Sequence, residues 1–172
     1  MKIILLGYMA SGKSTIGKLL AKKMNLDFID LDEYIENKEQ LKVSEIFNTK
    51  GEIYFRKQEH LHLKELLDLE GSFVLSLGGG TPCYAGNMDI INAEENVNSF
   101  YINVSIGTIT NRLTNENETR PLVANISKDD LVEFVAKHLF ERSFFYNQSK
   151  FVVKSDDKEP IEIVDEIYSL LA

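Results

Sequence analysis

A single cysteine, Cys83, in 172 residues rules out an internal disulfide, and a reducing compartment is expected. Basic residues are in deficit. Lys and Arg total 19 against 27 Asp and Glu, a net charge of −8, whereas a surface that grips a nucleic-acid backbone needs the opposite field. Positive charge for an anionic ligand must therefore be supplied locally. No apolar run approaches the roughly 20 residues that cross a bilayer, so no membrane insertion is expected. His60, His62 and His138 form no H-E-x-x-H pattern and have no cysteine partner, so no metal centre of that type is expected. Repeats, low-complexity tracts and linkers are also missing, and the length suits one domain over residues 1–172. Met1-Lys2 runs straight into a strand that feeds the first motif, so this segment is not expected to be a removable signal peptide, whose loss would delete the site. A cytoplasmic protein is expected, with a monomer as the default.

The sequence does contain Gly7-Tyr8-Met9-Ala10-Ser11-Gly12-Lys13-Ser14-Thr15, directly behind the apolar run Ile3-Ile4-Leu5-Leu6 and ahead of an amphipathic segment. The spacing G-x-x-x-x-G-K-S lets the backbone turn its N–H groups inward around a chain of phosphates. Lys13 then reaches the outer phosphates, and the Ser14 hydroxyl is placed to ligate magnesium. The helix that follows aims its positive N-terminus at the same anions. A nucleoside triphosphate with Mg2+ is the expected ligand.

Beyond the loop, Ile16, Leu19, Leu20 and Met24 recur at helical spacing, and Asn25 can end that helix. A short strand, Phe28-Ile29, leads into Asp30-Leu31-Asp32 and a helix fading by Gln40. Helices are expected from Ser44 to Asn48 and, after Gly51, from Glu52 to about Leu69. Phe73 to Leu77 is a near-continuous apolar run of the kind buried in a parallel sheet, and it ends in Gly78-Gly79-Gly80. A helix near Gly86 to Asn92, a strand from Ser99 to Val104 and a helix from Ile106 to Leu113 follow. The polar stretch from Thr114 to Pro121 is the candidate lid. Helix Lys128 to Phe145, strand Lys150 to Val153 and helix Pro160 to Leu171 complete the chain. Five strands alternating with helices make an α/β fold with a parallel sheet, which binds ligands at the carboxyl ends of its strands.

Asp30 and Asp32 lie at such an end. Two carboxylates beside a triphosphate can hold magnesium through its waters and accept a hydroxyl proton from a substrate. Asp30-x-x-Glu33 also reads as a helix cap pair, and capping alone would account for one of the two. Arg56, with Glu59 three residues on, is either a guanidinium pre-oriented for a substrate carboxylate or a solvated surface pair. Arg120 in the polar stretch can swing onto phosphates. Arg142 is either a further anion clamp or a charge favouring its own helix end. Phe144, Phe145 and Tyr146 read as core. Cys83 is assigned no role.

In order and spacing, the phosphate loop through Gly17, Phe28-Ile29-Asp30-Leu31-Asp32, Gly51-Glu52-x-x-Phe55-Arg56-x-x-Glu59, Gly78-Gly79-Gly80 and Arg120-Pro121-Leu122 resemble the motif series of shikimate kinases. The resemblance implies a three-layer α/β/α P-loop fold with strand order 2-3-1-4-5, a substrate-binding region over about 30–62 and a lid over about 112–127. It implies transfer of the ATP γ-phosphoryl group to the 3-hydroxyl of shikimate, on the route to chorismate and the aromatic amino acids. Carried over residue by residue, it makes Lys13, Asp32 and Arg120 catalytic. Gly7, Ala10, Ser11, Gly12, Lys13, Ser14, Thr15 and Arg120 would hold ATP, and Ser14 with Asp30, through water, would hold Mg2+. Asp32, Arg56, Arg142 and Gly78 to Gly80 would hold shikimate, with Phe47 and Phe55 walling its ring. Three positions depart from the pattern. Ala10 stands where glycine is common, Arg112-Leu113-Thr114 lacks a paired arginine for adenine, and Ser143-Phe144-Phe145 follows Arg142 in place of P-L-Y. The alternatives are a kinase of another small hydroxylated acid such as gluconate, and an ATP-binding regulatory module without catalysis.

Overall fold

Five short segments line up as one parallel sheet because the three central ones are apolar and buried on both faces, and helical crossovers return the chain to the same edge between successive strands. In the computed structural model, residues 1–116, 123 and 125–172 are described. Strands β1 (Lys2–Leu6), β2 (Asp27–Asp30), β3 (Phe73–Ser76), β4 (Val97–Asn103) and β5 (Phe151–Lys154) stand in the order β2-β3-β1-β4-β5. This is the order implied by the resemblance. The helices are α1 (Lys13–Met24), α2 (Leu31–Glu39), α3 (Val43–Lys50), α4 (Glu52–Asp68), α5 (Asn87–Ala93), α6 (Ile106–Asn115), α7 (Lys128–Tyr146) and α8 (Pro160–Leu171).

The order fixes the layers. Only the β1-to-β2 crossover runs toward one edge of the sheet, and the later ones run back, so right-handed connections put α1 on one face and α2 to α7 on the other. The closing helix α8 packs on α1, while α4 packs on α2, α3 and α5. Ile3, Ile4, Leu5, Leu6, Val74, Leu75, Phe100 and Ile102 form the centre of the core and are essentially inaccessible.

Register brings the functional loops to one edge. Leu5 is opposite Ser76 and Phe100, and Asp30 is opposite Ser76. The phosphate loop, the acidic pair and the glycine loop therefore leave the sheet side by side. The glycine loop closes into a 3-10 turn over Thr81–Cys83, with Thr81 N–H bonded to Gly78 O and Cys83 N–H to Gly80 O. One local expectation is corrected. Of the aromatics after Arg142, Tyr146 is fully buried but Phe144 is 71% exposed, because residues 140 and 144 share the outer face of α7 while Tyr146 turns toward the sheet.

Candidate active site

The phosphate loop is built by backbone that ordinary residues avoid. Gly7 and Gly12 have φ of 150° and 90°, and a Cβ on Gly7 would lie 2.7 Å from Ile102 O of β4. Ala10 also takes a left-handed φ of 59°. A methyl there costs on the order of 1 kcal/mol relative to glycine, which accounts for glycine's usual place at this position. The Ala10 carbonyl accepts a 2.9 Å bond from Arg112 Nη1, so the arginine left without a paired neighbour in the sequence braces the loop. Lys13 Nζ folds over the mouth of the loop, donating to Gly7 O at 2.8 Å, Tyr8 O at 2.9 Å and Ser11 Oγ at 3.3 Å. Tyr8, whose hydroxyl burial pushes up to about 12, keeps its proton and shares a 2.9 Å hydrogen bond with His138 Nδ1. His138 thus supports the loop, and burial lowers its pKa.

Asp30 caps a helix and also faces the phosphate loop. One oxygen caps α2, accepting from the Asp32 and Glu33 N–H groups at 3.0 and 3.3 Å, and the other accepts from Ser14 Oγ at 2.9 Å. Asp32, freed from capping, stands at the floor of the cleft, where a Cβ on Gly78 would be 3.0 Å from Oδ1. Burial, reinforced by the negative charges of Asp30 and Glu59 and opposed by Lys13, pushes its carboxyl up to about 6. A carboxylate poised there suits proton acceptance near neutral pH.

Three consecutive glycines then present three functional groups. Gly78 abuts Asp32, Gly79 would put a Cβ 3.2 Å from Arg142 Nη1, and Gly80 would put one 2.6 to 2.9 Å from three atoms of the Arg56 guanidinium. Arg56 Nη1 donates to Glu59 at 3.0 Å, Nε faces Glu52 at 3.5 Å, and Thr81 Oγ1 donates to Glu59 at 2.7 Å. Glu59 is 1% exposed, so the surface-pair reading of this ion pair fails. Burial pushes the Glu59 carboxyl up, against Arg56 and Thr81, which favour its ionised form. Tyr146 anchors α7 to the same loop through a 2.6 Å bond to Gly79 O. Cys83 sits nearby with burial pushing its thiol up to about 11, so it remains a protonated, unreactive thiol.

The main cleft, about 470 Å³, is lined by the phosphate loop through Thr15, by Asp30, Asp32, Gly78 and Gly79, and by Arg112. Its far wall, from Ser155 to Ile163 in the β5–α8 connection, was not singled out from the sequence, where Pro160 was the only signal. Arg56 belongs instead to an adjoining depression of about 490 Å³ that also contains Tyr84, a second residue the sequence reading missed. Phe47 and Phe55 pack on each other, centroids 4.8 Å apart, with Phe55 only 3% exposed. Arg120 lies outside the described residues.

A family model for shikimate kinase matches residues 9–172. The chain belongs to the shikimate kinase family. Its relatives include the shikimate kinases of Flavobacterium psychrophilum, 50% identical over 99% of this chain and 98% of that protein, and of Flavobacterium johnsoniae, 46% identical over 99% of each. Among solved structures, shikimate kinase from Bacteroides thetaiotaomicron superposes with a TM-score of 0.91 at 34% identity, covering 99% of this chain and 98% of that one. The Acinetobacter baumannii enzyme, solved in complex with shikimate, gives 0.85 at 25% identity, covering 99% and 92%. As a shikimate kinase family member, the chain has the P-loop kinase fold and uses ATP as co-substrate.

Proposed function

We propose that this chain phosphorylates shikimate at its 3-hydroxyl with ATP, giving shikimate 3-phosphate and ADP. What carries the reading is the trio flanking Gly78 to Gly80. One carboxylate with a raised pKa and two guanidinium groups meet beside a phosphate loop, as a substrate with one carboxylate and several hydroxyls requires. Asp32 accepts the hydroxyl proton as the oxygen forms its bond to the γ-phosphorus. The bond from that phosphorus to the bridging oxygen breaks, and ADP leaves with the electron pair. Arg56 and Arg142 hold the carboxylate, Phe47 and Phe55 back the ring, and Lys13 with Arg120 offsets charge on the transferred group.

Mg2+ fits the donors present. Ser14 Oγ and Asp30 Oδ2 are two hard oxygens 2.9 Å apart at the loop's exit, and Mg2+ is held by few protein groups, water and phosphate oxygens, with no need of a protein cage. It would neutralise charge across the β- and γ-phosphates. Residues 30–62 supply the substrate side, and 112–127 are assigned to a lid whose residues 117–122 and 124 lie outside those described.

Two expectations follow from the geometry. Gly80→Ala forces the Arg56 guanidinium to move, so the KM for shikimate should rise about 10- to 100-fold with the KM for ATP within twofold, read by steady-state kinetics. Because Asp32 must be ionised to accept a proton, kcat/KM for shikimate should fall about tenfold per unit below pH 6 and level off above it. A flat profile between pH 5 and 7 would remove Asp32 as the proton acceptor. The assignment itself is tested by offering ATP with equal shikimate and gluconate and identifying the phosphomonoester by phosphorus NMR. Shikimate phosphate alone is expected, and gluconate phosphate alone would replace the proposal with its rival.

A further inference from the structure

Among the described residues the Arg56 guanidinium is hydrogen-bonded at one corner only. Nη1 bonds Glu59, Nε is buried without a hydrogen bond and only ion-paired to Glu52 at 3.5 Å, and no hydrogen bond uses Nη2. One hydrogen-bonded corner leaves a planar fork room to tilt, yet a bidentate grip on a carboxylate needs the plane fixed. Ring faces surround it. The Tyr84 centroid is 4.1 Å from Arg56 Cζ, closer than those of Phe55 at 5.3 Å and Phe47 at 5.9 Å.

Tyr84 is held as firmly as the group it covers. It directly follows the 3-10 turn, and Asn87 N–H bonds its carbonyl at 3.0 Å across Ala85 and Gly86, both left-handed with φ of 52° and 67°. That is a tight turn of the type requiring positive φ at both central positions. Asn87 is fully buried, donates to Thr81 O at 2.8 Å and meets His60 Nδ1 at 2.7 Å. The hydroxyl of Thr81 in turn holds Glu59. Ring, guanidinium and carboxylate thus hang from one braced loop. The 37% exposure of Tyr84 is what covering another side chain produces, and a core aromatic would be less exposed.

We propose that Tyr84 is a positioning residue for substrate binding, its ring face fixing the plane of the Arg56 guanidinium so that the free edge meets the substrate carboxylate. This rests on the shikimate reading above. The ring face is used, and among the described residues the hydroxyl makes no hydrogen bond, so Tyr84→Phe should behave as the parent.

Steady-state kinetics of the full chain test it. Tyr84→Ala should raise the KM for shikimate about 3- to 30-fold, the range of a partly desolvated cation–π contact, with kcat within threefold and the KM for ATP within twofold. Tyr84→Phe should restore the KM to within twofold, and in an Arg56→Ala background Tyr84→Ala should add nothing. If Tyr84→Ala does not fold, Tyr84→Leu, which keeps bulk without a π face, is read in its place. An unchanged shikimate KM, a Phe variant as impaired as Ala, a penalty that persists without Arg56, or equal losses for both substrates would overturn the inference. A parent protein that does not turn over shikimate would instead fail the functional reading and take this one with it.

Discussion

Asp32→Asn is expected to lower kcat with shikimate by about 10²- to 10⁴-fold, the contribution of a positioned base, while making the ligand-free protein more stable. Both effects come from the same burial. The carboxyl is raised from 3.8 to about 6, so the folded state binds this proton more tightly than the unfolded chain. The contribution of this group to stability is then greatest below pH 4, falls as the pH rises through 6, and stays lower above it. At pH 8 the ionised group costs at most about 3 kcal/mol, at 1.36 kcal/mol per pH unit, and asparagine removes that cost. Thermal melts should show the variant gaining most at pH 8 and little at pH 4. A kcat loss under tenfold would deny Asp32 its role, and a melting temperature that drops equally at both pH values would deny the electrostatic strain.

Arg56→Ala should weaken shikimate by roughly 2 to 4 kcal/mol, about 30- to 900-fold in Kd, with a smaller change in kcat, because a charge-assisted fork is lost from a desolvated site. The fold should suffer as well. Glu59, 1% exposed, keeps Thr81 but loses its guanidinium, and an under-satisfied buried carboxylate costs about 1 to 3 kcal/mol. Arg56→Lys separates the two effects. Lysine returns a charge to Glu59 but has no fork to span Glu59 and a substrate carboxylate together, so the melting temperature should recover more than the affinity. Calorimetry with shikimate and thermal melts of both variants check this. Unchanged affinity in Arg56→Ala would reduce the Arg56–Glu59 pair to a structural contact.

What was legible in the sequence was whatever local rules control. Strand, loop and helix around Gly7 to Thr15 announce themselves through spacing, and α8 starts and stops at Pro160 and Leu171 as the pattern indicates. At Asp30 spacing alone leaves capping and magnesium open; the fold shows one oxygen capping α2 and turns the other to Ser14, where the proposed Mg2+ would sit. The Arg56–Glu59 spacing showed that the two could pair. Whether they were buried depended on Thr81 and Gly80, which arrive from a strand about 20 residues away, so a solvated pair fitted the helix equally well. Tyr84 was illegible for the same reason, since its partner lies on α4. That Arg112 braces the Ala10 carbonyl could not be read from its unpaired place in the sequence, because only the fold brings α6 against the phosphate loop. The aromatic run after Arg142 misled because composition does not show which side of a long helix faces the sheet, and Phe144 faces out.

Acceptor-specific phosphoryl transfer dependent on Asp32 is decided by ADP release from magnesium-ATP in a coupled assay, with shikimate, with gluconate and with no acceptor, for the parent chain and Asp32→Asn. Release that requires shikimate and is lost in the variant is the expected result. ADP release indifferent to the acceptor, or ATP binding with no shikimate-dependent release at all, would contradict it.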